Sequence, residues 1–405
     1  MDRTEVCVVG GGPAGMMLGL LLARAGIEVT VLEKHADFLR DFRGDTVHPS
    51  TLRLLDELGL WEKFAELPHS VVRSVEVPVN GEPMTVANLS RLRTPHPYIA
   101  MVPQWDLLDL LAEAANKEPN FTLRMSTECT GLLREGNTVT GLRYRGPDGE
   151  GALRARLTVG TDGRWSTVRE AAGLRPHEYP VSFDAWWFRL DAPEDRPAAL
   201  SPAIGGDQFA VLIPREDYLQ VAYIAPKGID ARLRAEGIEA FRSRLRALMP
   251  RYTPQIDRLA SMDEVKHLDV RLSRLRRWHR EGLLCIGDAA HAMSPIGGVG
   301  INLAVQDAVA TARLLAEPLR SGALRERDLA AVQRRRWLAM TLVQGMQRVM
   351  HAAMIDGAVR GTRSAGPPQA VLRLVNRFPA LTAVPAYLIG IGPLPEHAPR
   401  FARRR

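Results

Sequence analysis

The sequence predicts an α/β fold in which a layered parallel sheet carries an inserted sheet-plus-helix unit and ends in helices. Three observations predict it. The chain opens on an apolar strand, residues 6–9, that breaks into Gly10-Gly11-Gly12-Pro13-Ala14-Gly15 and resumes as a helix. An aromatic-rich, strand-like stretch, residues 181–227, is followed by an amphipathic helix at 238–248. A second buried strand, 283–286, breaks into a loop holding Gly297, Gly298 and Gly300 before a helix at about 303–319.

The first of these breaks has the chemistry of a phosphate cradle. Gly10 permits a tight turn, Gly12 lets a pyrophosphate approach the backbone, and Gly15 lets the helix pack close to its strand. Pro13 and Ala14 open that helix, whose first N–H groups lack intrahelical acceptors and favour an anion. A second strand, 28–32, ends in Glu33, followed by Lys34; the carboxylate suits ribose hydroxyls and disfavours a 2′-phosphate. Strand, glycines, helix and acid in this order predict a dinucleotide site. FAD and NAD share that half-site, so the choice between them rests on residues further along.

With 405 residues, 46% hydrophobic and 24% charged, the chain is long enough for two or three structural units. Cys7, Cys129 and Cys285 have no CxxC spacing and read as reduced and structural. No metal site is expected, because no His/Cys cluster has zinc-like spacing. The first strand begins almost at once, and no apolar run approaches a membrane span, so a cytoplasmic protein without a transmembrane segment is expected. The net charge of +7 is spread over many arginines without aromatic interleaving, which reads as solvated helix faces and excludes a nucleic-acid partner.

Between the two glycine motifs, Arg43 lies in a loop within reach of a pyrophosphate, and His48 precedes a helix at 50–58 that Gly59 stops. His48 is either a local cap or a group facing a reacting centre. Alternating valines at 75, 77 and 79 with Asn80-Gly81 read as a hairpin. Gln104 precedes a helix at 106–115, and strands at 128–133, 138–144 and 152–159 form a meander. The last strand runs into Asp162-Gly163, and a helix start follows with Arg169. Trp187, Phe209 and Tyr223 in the aromatic stretch are candidates to wall a substrate pocket, although most aromatics there belong to a core.

The second motif decides the cofactor. The strand 283–286 delivers Gly287 and Asp288, whose carboxylate suits a sugar-alcohol chain; Gly297, Gly298 and Gly300 let a flat ring approach the backbone. The helix that follows aims its positive end at that ring, as a reduced flavin requires. FAD is therefore expected. His291 reads as structural, and Met340, Met346, Met350 and Met354 as a packing face on a helix running to 354.

With these residues in place, the chain resembles the para-hydroxybenzoate hydroxylase family of single-component, class A flavoprotein monooxygenases. Gly10-x-Gly12-x-x-Gly15 with Glu33, Asp162-Gly163 with Arg169, and Gly287-Asp288 with Pro295 and the loop to Asn302 carry the resemblance over nearly the whole chain. It implies a Rossmann-like FAD-binding domain at 1–73, 98–175 and 268–325. An inserted β-sheet-plus-helix substrate domain would occupy 74–97 and 176–267, and a helical region 326–405. It further implies that Arg43 and Gln104 contact the pyrophosphate and ribityl regions, and Asp288 the ribityl hydroxyls. Asp162 and Gly163 would serve both FAD and a visiting NAD(P)H, and Pro295 would flank the reactive face of the ring. Gly298, Gly300, Ile301 and Asn302 belong to the loop against its pyrimidine edge. The chain lacks a second GxGxxG, and the WxWxIP motif of the related halogenases is absent.

The activity so implied is hydroxylation of an electron-rich aromatic or polyketide-like molecule with NAD(P)H and O2, oxygen adding at flavin C4a as a hydroperoxide. His48 and Tyr223 are the candidates for a base on a phenol. Epoxidation, N-hydroxylation, a quinone-pathway hydroxylation and a non-catalytic carrier on the same scaffold are the alternatives, and a homodimer is left open.

Overall fold

The computed structural model describes residues 2–39, 46–79, 82–191, 200–205, 208–215, 217–352 and 377–404. Its centre is a sheet whose five parallel strands lie in the order Leu283–Cys285, Gly149–Gly160, Asp2–Val9, Val29–Leu32 and Phe121–Arg124. The Glu128–Glu135 and Thr138–Gly146 strands extend it antiparallel from Gly149–Gly160, and His279–Arg280 closes the other edge.

Register explains why the motifs meet. Val9 pairs with both Gly160 and Leu32, and Gly160 pairs with Cys285, so four strands end on one row. The residues just past that row are the Gly10 turn, Glu33, Asp162 and Gly287. Segments far apart in sequence thus converge at the carboxyl edge of a parallel sheet, where α/β folds bind ligands.

The Pro13–Arg24 helix is buried from Ala14 to Ala23. Such a helix, apolar all round, is covered on every side. Gly19 rests against Val31 and Phe121 of the sheet, and the Gly300–Arg320 helix lies alongside. Leu18, Leu20, Val6, Val8, Val305 and Val309 share that core. The helices at Pro49–Glu57 and Gln104–Ala115 match their expected positions, and Gly59 has φ +69° at the stop.

A second, antiparallel sheet orders Ser201–Gly205, Gln208–Pro214, Tyr218–Pro226, Phe183–Asp191 and Lys266–Leu268. Its two faces alternate with the pleat. Trp186, Phe188, Val221 and Tyr223 pack with Phe241 and Leu245 of the Asp230–Leu248 helix, while Ala185, Trp187, Ala222 and Ile224 face the opposite way. That helix breaks at Gly237, with φ +81° and ψ 175°, beside the expected start at 238. The Ser74–Val79 and Glu82–Asn88 strands form the expected hairpin; its Asn80-Gly81 turn lies outside the described residues, as do Arg43 and Met354. Long helices at Gly300–Arg320 and Glu326–Met350, and a shorter one at Ala383–Gly390, follow. No helix among the described residues is long and apolar enough to cross a membrane.

Candidate flavin and substrate cavity

One cavity of about 1050 Å³ runs from the carboxyl edge of the parallel sheet to the inner face of the antiparallel sheet. Gly10, Gly12, Pro13, Ala14, Glu33, Lys34, Gln104, Asp162, Gly163 and Asp288 line its first part. Pro295, Gly298, Gly300 and Ile301 line the loop side, and Trp187 and Phe209 the far wall. Two helices, starting at Pro13 and Gly300, open onto this space with no side-chain cap on either N-terminus. Their uncapped N–H groups and positive dipole ends favour anionic or carbonyl oxygen.

The glycines divide by what a side chain would meet. At Gly12 and Gly300 a Cβ would enter open space, so both positions keep the cradle clear for something that is not protein. At Gly15 a Cβ would overlap the Gly10 carbonyl, and at Gly10, where φ is +103°, it would lie 2.7 Å from Thr161 O. Those two glycines serve the turn itself. A pyrophosphate fits over Gly12, and a flat ring over Gly300.

Polar groups at the sheet edge are held before any ligand arrives. Glu33 is buried and accepts from Gly11 N at 2.8 Å and His35 N at 3.0 Å, which fixes its carboxylate at the cavity wall. Asp162 accepts from Ser166 Oγ at 2.5 Å and Val168 N at 3.0 Å, which locks the turn into the Thr167–Ala171 helix; burial pushes its carboxyl up. Arg164 Nε donates to Asp288 Oδ2 at 3.2 Å, joining the loop after one strand to the loop after its neighbour. Asp288 side-chain atoms keep a 31% exposure toward the cavity.

Behind Asp288 lies a buried ionic group that sequence reasoning missed. Asp307 accepts from Gly287 N at 3.1 Å, His291 Nε2 lies at 2.6 Å, and Arg336 Nε donates at 2.9 Å. Burial alone pushes the Asp307 carboxyl up, but His291 and Arg336 together hold it below the usual carboxylate range. His291 is structural, as expected, and it anchors the glycine that aims Asp288.

Burial and hydrogen bonding change the roles expected of Tyr223, His48 and Arg169. Tyr223 is 2% exposed and sits on the helix-facing side of its strand, against Phe241, so it is corrected from substrate wall and base to core. Trp187 pairs with Ala222 and Phe209 with Ile224, all four on the cavity side. His48 is fully buried with Nδ1 2.8 Å from Ile389 O and Nε2 3.0 Å from Gly298 O. Burial pushes its pKa down to about 4. A neutral ring carries one N–H and donates to only one of these carbonyls, but with one against each nitrogen the buried ring packs between the flavin-side loop and the Ala383–Gly390 helix instead of reaching a substrate. Arg169 donates to Ala289 O at 3.1 Å and Arg164 O at 2.6 Å; it bridges two loops from behind and does not line the cavity. The Asn302 carboxamide oxygen is taken by Ser50 and Thr51, each at 2.7 Å, so its side chain fixes the helix start.

The far chamber is apolar, with Val72, Ile99, Met101, Val211 and Ile389 among its walls. Arg215, 5% exposed, and Gln220 are its polar floor: Gln220 Oε1 accepts from Arg215 Nε at 2.9 Å and Nη2 at 2.6 Å. No motif surrounds either residue. Their signal in the sequence is a charge and an amide at facing ends of an otherwise apolar strand pair.

Comparison with known proteins settles the class. Residues 3–346 match the family described as FAD binding domain. The chain belongs to that family. The protein is 38% identical over 386 residues to 6-methylpretetramide 4-monooxygenase of Streptomyces rimosus, covering 94% of this chain and 91% of that one. It is 30% identical over 324 residues to rifampicin monooxygenase of Streptomyces venezuelae, covering 75% of this chain and 62% of that longer protein. Among solved structures, the anhydrotetracycline hydroxylase OxyS of Streptomyces rimosus superposes with a TM-score of 0.77 at 25% identity, over 96% of this chain and 76% of that one. The protein is an FAD-dependent monooxygenase with the para-hydroxybenzoate hydroxylase-like fold.

Proposed function

We propose that the protein uses NAD(P)H and O2 to hydroxylate a fused-ring, polyketide-like aromatic molecule held against Trp187 and Phe209. The observation that supports this reading is the continuity of the cavity from the Gly12 cradle to the antiparallel sheet, which leaves room for a flavin and an apolar guest side by side. The relative named for 6-methylpretetramide supports the fused-ring class. When bound, FAD supplies the redox chemistry: NAD(P)H gives two electrons, one atom of O2 enters the substrate and the other leaves as water.

The chain's own residues bind, orient and exclude water. Backbone N–H groups at Gly12, in the helix opening at Pro13, and from Gly300 to Asn302 would hold the pyrophosphate and the pyrimidine edge. Glu33 and Asp288 would take ribose and ribityl hydroxyls, with Lys34 and Gln104 on the same cavity wall. Pro295 stands at the border between the two halves of the cavity. The Arg215 guanidinium, in apolar surroundings, favours the phenolate or enolate form of a substrate and so activates its ring carbon toward an electrophilic oxygen.

Anaerobic stopped-flow reduction of the FAD-loaded protein by NADPH and NADH, with and without fused-ring phenols, tests the reading. Reduction accelerated by one ring class supports it. A flavin reduced equally fast without any phenol points to an ungated oxidase, and a protein that refuses FAD reopens the carrier.

A further inference from the structure

A second concave site of about 570 Å³ lies away from the flavin cavity, against the far half of the Gly300–Arg320 helix. Arg313 stands about 20 Å along that helix from Gly300, given its 1.5 Å rise per residue. The cleft falls within the ~300–1000 Å³ range of small-molecule pockets, but those are mostly apolar. This one is walled by Arg313, Arg335, Arg400, Arg403, His397 and Glu396.

The charge does not balance. Glu396 is buried at the base, where Arg335 takes both its oxygens at 2.6 and 2.9 Å and Arg313 lies 3.5 Å away. Glu57, beyond the wall, lies 3.8 Å from Arg403, but its oxygens are already taken by His397 Nδ1 and Ala398 N, each at 2.6 Å. Arg400 has no ion-pair partner among the described residues. Arg313 and Arg403 also donate to the His397 and Ala398 carbonyls, which position them without neutralising them, so four guanidiniums line the cleft against one lining carboxylate, Glu396, with Glu57 behind the wall.

We propose that this cleft binds a small polyanion of the diphosphate class. Guanidinium forks match phosphate oxygens in pairs, and two linked phosphates supply enough charge for the surplus. A nucleic-acid strand would require a basic track with stacking aromatics, and among the described residues no Phe, Tyr or Trp side chain lines this open cleft. Free diphosphate and the diphosphate of a nucleotide share this chemistry.

Titration calorimetry of the FAD-saturated protein at about 0.15 M ionic strength, where exposed charges are screened beyond ~8 Å, tests the site. The probes are inorganic pyrophosphate, ADP, orthophosphate and sulfate. One saturable pyrophosphate site, weakened about tenfold in Arg400→Gln and further in Arg313→Gln/Arg400→Gln at unchanged FAD content, is the expected result. ADP binding tighter than pyrophosphate in the same variant-sensitive way assigns the nucleotide source; weaker binding assigns free diphosphate. No saturable heat up to about 5 mM, a range that still detects millimolar affinity, overturns the proposal. Equal binding by the double variant, or equal weak heats from all four anions, overturns it too. None of these outcomes bears on hydroxylation.

Discussion

Arg164 Nε and Asp288 Oδ2 meet at 3.2 Å across the mouth of the flavin cavity, joining two loops whose residues are 124 positions apart in the chain. The contact orients the Asp288 carboxylate at the cavity wall. Asp288→Ala removes the acceptor and leaves Arg164 facing the cavity alone. FAD affinity is expected to fall at least about tenfold, equivalent to ~1.4 kcal/mol, in a fluorescence titration of the apoprotein. Unchanged affinity would contradict the placement.

Two glycines of the same turn are expected to fail differently. Gly12→Val puts its side chain into open space, so the apoprotein should keep its melting temperature while FAD binding is lost by about 100-fold or more. Gly15→Ala drives a methyl into the Gly10 carbonyl, and the apoprotein itself should lose about 1–3 kcal/mol or more in urea unfolding. An apoprotein equally damaged by both would mean Gly12 is also a packing position.

The contrast between adjacent faces of one sheet is just as testable. Trp187→Ala should raise the KM for the aromatic substrate several-fold, because it opens the chamber wall. Tyr223→Phe, on the helix side, should leave KM within about twofold. A KM that responds only to Tyr223 would reverse the assignment of the two faces.

His48 gives the fold a pH dependence of known sign. Its folded pKa of about 4 lies below the ordinary value of 6.5, so the unfolded chain takes up a proton first as pH falls. The stabilisation is fully present above about pH 6.5 and is lost as pH drops toward 4, by up to ~3 kcal/mol. Urea unfolding from pH 7.5 to 4 should therefore show a smaller acid loss in His48→Gln than in the wild type. Equal slopes would show that burial does not hold the ring neutral.

The thiols should be silent. Burial pushes Cys7 and Cys285 far up and Cys129 to about 11, and all three are free and buried. A thiol reagent at pH 8 should label none in the native protein and three after unfolding.

Much of this architecture was legible because its signals are local. Gly10 marks a left-handed turn, Gly15 a close helix approach and Gly12 a position kept clear of side chain, and the acids Glu33 and Asp288 follow directly on apolar strands. Face assignment was not legible in the same way. Trp187 does share a face with the exposed Arg189 and Asp191, but Trp186-Trp187-Phe188 and the run around Tyr223 are apolar on both faces, so packing against the helix is what separates the ring that sees the cavity from the ring in the core. Arg215 and the Asp307–Arg336 pair were invisible for another reason. A buried charge is recognised by its partner, and Asp307 meets Arg336 only after two helices dock. His48 stayed open between a cap and a reactive group because sequence shows a histidine beside the nucleotide half-site, not the burial and the carbonyls of Ile389 and Gly298 that flank its ring.

Turnover under 18O2 with a fused-ring phenol and NADPH, followed by mass spectrometry of the product, tests the central claim most directly. Flavin-dependent hydroxylation in this cavity requires one 18O atom in the product, and a matched loss of that product in Asp288→Ala. A product that carries oxygen from water, or flavin oxidation that releases only hydrogen peroxide with every ring class offered, would contradict it.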